Sequence, residues 1–316
     1  MIFEFTDTEG KLIRLYKPTY MKINLSLSDY ADTLTAVFRG STEFSDFKYL
    51  KVIFDEKIIF TGVVDSITNS VDEKGRCFNV NCRSMLACLL DNHIQPQNIQ
   101  NITDEILYER FLKPLRIGIS SISNRPCTGI INVGKNTNIY SVLREYSSKV
   151  FSATPYVNFN GIASLNGEIN NNSFYFSNIN NPLRTNSYFC NSILLENNRK
   201  EVISKVYVKN STNETGYNFI VENENAVNNG IERVRYLDAT PNSGNCMYDA
   251  NRMIDESNRK GLVCTVKAPC LVYNPIGGTA VVNMDGKVFE NLIIASASYT
   301  YSVNGIESEI KMYRKW

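Results

Sequence analysis

Residues 49–91 set the tightest limit on what this chain can fold into. Leu50, Val52 and Phe54 recur every second residue, the period of a strand with one buried face. Asp55-Glu56 interrupts the run, and residues 57–64 run back. Gly62 lies inside that return strand, where a missing side chain marks a bulge or a close backbone approach. Asp72-Glu73-Lys74-Gly75 makes the next turn. Phe78, Val80 and Cys82 then alternate inward, and Ser84 is placed to cap a short apolar helix carrying Met85, Leu86, Leu89 and Leu90. Strands joined by such tight turns pair antiparallel. The stretch therefore reads as part of a small β-barrel closed by a helix.

The preceding residues extend the same pattern. Residues 2–6 and 11–17 form a hairpin about Asp7-Thr8-Glu9-Gly10, ended by Pro18. Ile23, Leu25 and Leu27 point inward while Lys22, Asn24 and Ser26 point out. A turn-rich piece (Ser28, Asp29, Asp32) leads to a strand through Leu34, Ala36 and Phe38. About six strands before Asp91 make residues 1–91 a complete small β-domain.

The texture changes after Asp91. Thr103 is an N-cap with Asp104 and Glu105 in the first turn, for a helix running to Leu112 before Pro114. Ile117, Ile119 and Ile122 suggest a short strand. Asn138 caps a second helix with Ile139, Val142, Leu143 and Tyr146 at helical spacing. Turns at Asn160-Gly161 and Asn166-Gly167 separate short strands. Residues 92–182 thus read as a middle α+β domain. The Asn-rich residues 177–198 read as a solvated loop or linker.

Residues 183–316 return to strands. Val202, Val206 and Val208 share a face, 219–221 and 231–237 are further strands, and 223–229 is a polar loop. Cys246, Ala250, Met253 and Ile254 form one face of a helix that Gly261 ends as its C′ residue. A strand over 262–268 stops at Pro269. Strands over 279–283 and 287–289 flank Asp285-Gly286. Along 292–303, Ile293, Ala295, Ala297, Tyr299, Tyr301 and Val303 share a face. Asn304-Gly305 then turns the chain into 306–313, with Ile306, Ile310 and Met312 opposite Glu307, Glu309 and Lys311. Val52-Ile53-Phe54, a turn and Lys57-Ile58-Ile59-Phe60 resemble Val281-Val282-Asn283, a turn and Lys287-Val288-Phe289. The fold class is α+β, mainly β: two similar small barrel domains, 1–91 and 183–316, flanking a different middle one.

No chemistry stands out. A net charge of +1 over 316 residues argues against a dedicated nucleic-acid binder, which carries a basic excess. The N-terminus lacks a basic segment followed by an apolar one, and no apolar run is long enough to span a bilayer, so synthesis and folding in the cytoplasm are expected. The eight cysteines, Cys77, Cys82, Cys88, Cys127, Cys190, Cys246, Cys264 and Cys270, contain no C-x-x-C pair. They read as reduced, mostly buried small hydrophobes. His93 is the one histidine, which leaves a zinc site short of ligands and a nucleophile short of a positioned base. There is no G-x-S-x-G, no G-x-x-x-x-G-K-[ST] and no G-x-G-x-x-G. Pro275-Ile276-Gly277-Gly278-Thr279 reads as a β-turn. Glu307 and Glu309 lie on one strand face, and a glycosidase needs two carboxyls about 5–10 Å apart, but with Lys311 they read as solvent-exposed sheet. No catalytic, cofactor-binding or metal-binding residue is nominated, and no cofactor is expected. Long strands with open edges favour an assembling protein instead.

Three stretches resemble the baseplate hub proteins of contractile tails, among them the hub of Mu-type phages and the N-terminal part of the VgrG spike of type VI secretion. The first is Val52-Ile53-Phe54-Asp55-Glu56-Lys57-Ile58-Ile59-Phe60-Thr61-Gly62-Val63-Val64-Asp65, then Phe78-Asn79-Val80-Asn81-Cys82-Arg83-Ser84 and Leu89-Leu90-Asp91. The second is Asn138-Ile139-Tyr140-Ser141-Val142-Leu143. The third is Ala250-Asn251-Arg252 through Arg259-Lys260-Gly261, with Asn291-Leu292-Ile293-Ile294-Ala295-Ser296-Ala297-Ser298-Tyr299-Thr300-Tyr301. Cys82 departs from the small residue of that pattern, and residues 177–230 match nothing in it. The resemblance implies a homotrimer whose six β-domains continue a sixfold tail tube, seat a threefold spike and line the channel. Its partners would be the tail tube protein, the central spike protein and other baseplate proteins, in a phage, an R-type phage-tail bacteriocin or a secretion particle. A chain ending at Trp316 leaves no room for the fused lysozyme or peptidase of some relatives. The alternatives are a glycan- or receptor-binding module at the tail tip, using Tyr299, Tyr301 and the Asn-rich loops, or a cell-wall hydrolase.

Overall fold

The computed structural model describes residues 1–27, 30–40, 46–73, 75–179, 185–209, 211, 213, 215–239 and 245–314. The turn residues Ser28, Asp29 and Lys74, part of the Asn-rich stretch (180–184) and Trp316 lie outside them. The chain begins with seven strands: β1 (Ile2–Asp7), β2 (Leu12–Tyr16), β3 (Tyr20–Ser26), β4 (Thr33–Arg39), β5 (Phe47–Phe54), β6 (Lys57–Asp72) and β7 (Gly75–Ser84). They lie in the order β3-β4-β7-β6-β5-β1-β2, every neighbour antiparallel. Alternation delivers Phe3, Phe5, Met21, Ile23, Leu25, Phe78, Val80 and Cys82 to one buried face. Asp55 and Glu56 take φ of 45° and 62°, the left-handed pair of a two-residue hairpin matched to strand twist. Gly62 marks a close approach: a Cβ there would lie 2.1 Å from the Arg83 carbonyl oxygen. The bulge falls three residues on, where pairing with β7 shifts between Val64 and Ser66.

Ser84 is not a helix cap. Helix α1 (Leu86–Asp91) has Met85 at its N-cap position and no side-chain cap. The Ser84 hydroxyl instead accepts from the Asp32 N–H at 3.0 Å, and the Ser84 N–H donates to the Asp32 carbonyl at 2.8 Å. The connection between β3 and β4 is thereby latched to the end of β7. α1 turns Leu86 and Leu89 into a second core, built from residues 94–165.

That second region holds β8 (Gln97–Gln100), α2 (Asp104–Leu107), β9 (Gly118–Ile119), β10 (Ile130–Val133), α3 (Ile139–Phe151), β11 (Tyr156–Val157) and β12 (Ile162–Ser164). The Thr103 hydroxyl accepts from Ile106 N–H at 3.3 Å to start α2, which continues as a wider turn over Tyr108–Leu112. Asn138 Oδ1 accepts from Ser141 N–H at 2.9 Å and satisfies a donor the first turn of α3 leaves open. Ile139, Val142, Leu143 and Tyr146 are buried together.

The last part contains β13 (Ser173–Ser177), β14 (Ser187–Phe189), β15 (Ser192–Asn197), β16 (Lys205–Lys209), β17 (Phe219–Glu222), α4 (Glu224–Asn228), β18 (Val234–Asp238), α5 (Cys246–Gly261), β19 (Leu262–Ala268), β20 (Thr279–Met284), β21 (Lys287–Ser302) and β22 (Gly305–Arg314). Several sequence expectations change here. The stretch read as loop or linker, 177–198, contains strands β14 and β15. The polar loop over 223–229 contains the short helix α4. Gly261 is the last helical residue; Leu262 is already extended, so α5 passes straight into β19. β13 lies within 92–182 by sequence, yet it pairs in parallel with β20. β21 is one continuous strand, and its buried face switches parity. Leu292 and Ile294 are buried before the pairing shift at Ala295, Ala297 and Tyr299 after it, because a bulge adds one residue to a period of two.

Seven of these strands lie in the order β15-β19-β22-β21-β20-β13-β14. Taken in chain order they repeat β1 to β7, with β16, β17, β18, α4 and α5 inserted between the third and fourth. Among the described residues of 33–84 and 263–314 the spacing and register repeat, except beside the hairpin, where Val52 faces Phe60 but the matching Val282 faces Phe289. Gly62 pairs with Ser84 and Asp72 with Gly75; Leu292 pairs with Arg314 and Ser302 with Gly305. The bulges fall at the matching Asp65 and Ala295, and the matching Gly75 and Gly305 have φ of 100° and 97°. β13 departs from the pattern, running parallel to both its neighbours. The two sets join through β21 and β3 into one curled fourteen-stranded sheet over one core from Phe3 to Met312. Each fully buried Phe, Leu or Ile there contributes about 1.5–3 kcal/mol.

Candidate assembly surface

The residues with chemical potential are placed apart. His93 is exposed and its backbone bridges to Asn138. All eight cysteines are free thiols, and burial pushes Cys264 up to about 11 and Cys190 up to about 12, far from reactive thiolates. Among the described residues no group of His, Cys, Asp and Glu could hold a metal ion. Glu309 lies 3.5 Å from Lys267 and 3.9 Å from Lys311, and Glu307 is exposed beside it. Such pairs are surface contacts of little energy. Tyr299 is buried and its hydroxyl donates to the Val272 carbonyl at 2.7 Å. That removes it as a ligand-stacking residue, and the Asn-rich stretch proposed alongside it is partly strand.

A polar cluster braces the bulge of β6. Arg83 donates through Nε and Nη2 to both Asp65 carboxylate oxygens, at 2.8 and 3.0 Å. It also donates through Nη1 and Nη2 to Asp91 at 3.2 and 2.6 Å. The fork of the guanidinium suits this bidentate geometry. The hydrogen bonds from Arg83 hold the Asp91 carboxyl below the usual carboxylate range. One arginine thus ties the end of α1 to the bulged residue of β6. The Arg83-Ser84 and Leu89-Leu90-Asp91 stretches were visible in the sequence; Asp65 was visible only as the last residue of the stretch from Val52.

A cleft of about 940 Å³ runs between the end of α3 and α5. Of the charged groups that line it, Arg259 meets Asp255 at 2.8 Å, Arg252 reaches Glu256 at 2.5 Å and Glu222 meets Lys205 at 2.7 Å, and Glu224 lines it as well. Tyr248 and Thr154 hydroxyls meet across it. The arrangement closes a polar contact between two elements.

What the surface does offer is strand edges. β2 and β14 end the order of the sheet, and among the described residues β15 pairs with β19 alone. Beyond Val63, β6 pairs with β7 only among the described residues. Exposed apolar side chains sit on these edges: Leu12 and Tyr16 on β2, Phe189 on β14, Leu194 on β15 and Val71 on β6. An edge strand presents backbone donors and acceptors that template pairing with another chain. On the separate sheet of β16, β17 and β18, Tyr207 stacks on Tyr236 at 5.3 Å and Tyr217 meets Tyr236 edge-on at 4.9 Å. Among the described residues no helix is long and apolar enough to cross a membrane.

No protein-family model matches the sequence, and no curated protein matches it. Solved structures do resemble it along its whole length. A tail protein from Neisseria meningitidis MC58 has a TM-score of 0.73 at 14% identity, covering 99% of this chain and 96% of that one. The 43 kDa tail protein of prophage MuSo2 from Shewanella oneidensis has a TM-score of 0.71 at 14% identity, covering 99% and 98%. An E. coli component of the type VI secretion system, described as structurally similar to T4 bacteriophage tail proteins, has a TM-score of 0.57 at 10% identity, covering 95% and 74%. The chain has, over nearly its full length, the fold of phage tail proteins and of a type VI secretion component.

Proposed function

We propose that this chain is a structural baseplate hub of a contractile injection particle. Three copies form a ring that joins a sixfold tail tube to a threefold spike and lines the central channel. The observation that carries this reading is the seven-strand set repeated in order and register within one chain. Two similar wall units per copy make six in a homotrimer, which matches a sixfold structure on one side and a threefold one on the other. Residues 1–91 and 183–316 are then the two tube-type β-barrel domains, the second recruiting β13, and 92–182 is the middle domain. The neighbours among phage tail proteins and the type VI secretion component support the same setting. The chain acts without catalysis, by matching symmetries and by holding the tube protein, the spike protein and other baseplate proteins in the particle.

Native mass measurement of the chain with the spike protein of the same particle tests this reading. The expected complex contains three copies of each; a stable complex without threefold stoichiometry contradicts it. A second reading is favoured by one observation, the partly exposed Tyr207, Tyr217 and Tyr236 cluster, since stacked aromatic faces suit the apolar face of a sugar ring. In that reading the protein binds glycans at the periphery of the tail tip. Glycan binding abolished by Tyr236→Ala would support it, and an unchanged glycan-array profile would remove it.

A further inference from the structure

We propose that a cavity between the outer face of β1, β5 and β6 and the second region receives an acidic side chain from an extended segment of a partner protein. The inference stands on this cavity and does not depend on the hub reading. The strand ladder sets Arg14, Glu4, Lys51 and Thr61 side by side in one row. Leu12, Thr6 and Tyr49 form the next row. Arg116, Met85 and the Asn160-Gly161 turn close the space over these rows. Gly161 has φ of 75°, and a Cβ there would lie 3.0 Å from Met85 Cγ, so glycine lets the turn approach the wall. The cavity holds about 260 Å³. That is below the roughly 300–1,000 Å³ of cofactor and small-molecule pockets, and it suits one inserted side chain.

Charge selects the side chain. Among the described residues that line the cavity Glu4 is the one carboxylate, and Arg14 takes it at 2.8 Å. Lys51 and Arg116 line it with no ion pair among the described residues. Arg116 rests 5.0 Å from the centroid of the Tyr49 ring, and Lys48 5.4 Å from the same ring. The mouth therefore carries positive charge without a countercharge. Arg116 has φ of 60° where it ends the short helical turn Lys113–Leu115. Glycine takes that left-handed conformation without strain, so an arginine is held here at a backbone cost.

A second, independent observation points to a polar occupant. Thr61 Oγ1 and Asn160 Oδ1 are buried without a hydrogen-bond partner among the described residues, and both residues line this cavity. Buried polar groups in folded proteins are nearly always paired, so two orphans on one cavity mark a place for complementary groups. The Thr61 hydroxyl can donate to a carboxylate, and Asn160 Oδ1 accepts from an N–H. An acidic residue within a peptide brings both. Its carboxylate answers Lys51, Arg116 and Thr61, and its backbone N–H answers Asn160. A simple anion brings only the first. Leu12, 51% exposed at the rim, adds apolar surface for the flanking residues of the segment.

The probe is a blocked pentapeptide with two glutamates among serines, compared with its glutamine counterpart and with sodium acetate at equal carboxylate concentration. Methyl spectra of the full chain labelled at methionine report the site through Met85, assigned by Met85→Leu. In the wild type the acidic peptide is expected to shift the Met85 signal in a saturable way, and the glutamine peptide and acetate are not. Lys51→Gln combined with Arg116→Gln should weaken the acidic peptide at least about tenfold, since each cation supplies a charge-assisted contact. Lys135→Gln, an exposed lysine outside the cavity, should leave binding unchanged. An unmoved Met85 signal overturns the site, and that result needs no variant to fold. Equal weakening by Lys135→Gln reduces the effect to general attraction and overturns it too. An equal shift with acetate overturns the peptide and leaves an anion site only.

Discussion

Gly62→Ala tests how closely β6 and β7 approach. The added methyl carbon would lie 2.1 Å from the Arg83 carbonyl oxygen and 2.8 Å from Phe60 Cε1. An ordinary carbon–oxygen contact is about 3.3–3.6 Å, so the two strands would have to part by more than an ångström. Arg83 resists that movement, because its guanidinium is held by Asp65 and Asp91. Overpacking of this kind costs about 1–3 kcal/mol, and the lost freedom of the unfolded chain returns about 0.4–1 kcal/mol. The net expectation, from the centres of the two ranges, is a loss of about 1.3 kcal/mol. Gly40→Ala is the matched control. A Cβ at Gly40 meets nothing within 4 Å, so that variant should gain about 0.4–1 kcal/mol. Urea unfolding followed by circular dichroism reads both. Gly62→Ala unfolding at the wild-type midpoint or above it would refute the reasoning. The counterpart of Gly62 is Leu292, fully buried, so the demand for glycine comes from this close approach and not from the ladder itself.

Two further outcomes follow from the latch between Asp32 and Ser84. Burial pushes the Asp32 carboxyl up from 3.8 to about 7, against the opposing hydrogen bond from Ser26 N–H; Tyr156 and Tyr299 are close enough to feel its charge. Between about pH 4 and 7 the unfolded chain gives up this proton and the folded chain keeps it. The stabilising contribution of Asp32 is therefore complete below about pH 4 and is lost as pH rises to about 7, at roughly 1.4 kcal/mol per pH unit. Asp32→Asn should flatten that slope in urea titrations at pH 5 and pH 8; an unchanged slope would count against it. Ser84→Ala strips the acceptor from the buried Asp32 N–H and should cost about 1–3 kcal/mol in the same assay, with a wild-type midpoint as the contrary result.

Much of the fold was legible because its signals are local. Phe78, Val80 and Cys82 alternate within one strand, and Asn138 and Thr103 cap helices three residues away. Signals that depend on distant pairing were not. The hydroxyl of Ser84 is taken by Asp32, 52 residues earlier, so nothing near Ser84 distinguishes a latch from a cap. The parity of β21 changes at Ala295 because of its pairing with β22, and the alternation of 293–303 read as a single face. β14 and β15 sit among asparagines, and Ile193 and Leu195 became readable as a strand face only through β19. The repeat was visible as Lys57-Ile58-Ile59-Phe60 against Lys287-Val288-Phe289, but its full register needed the bulges at Asp65 and Ala295. The candidate surface was the least legible part, because an open edge is defined by what lies beside a strand and not by the residues in it.

The central claim, a hub on the tail axis, is tested most directly by electron cryomicroscopy of the assembled particle with this chain located in it. Three copies are expected to close one ring between tail tube and spike, with the curled sheet facing the channel. Copies placed off the axis at the periphery of the tip, or present in a number other than three, would contradict it.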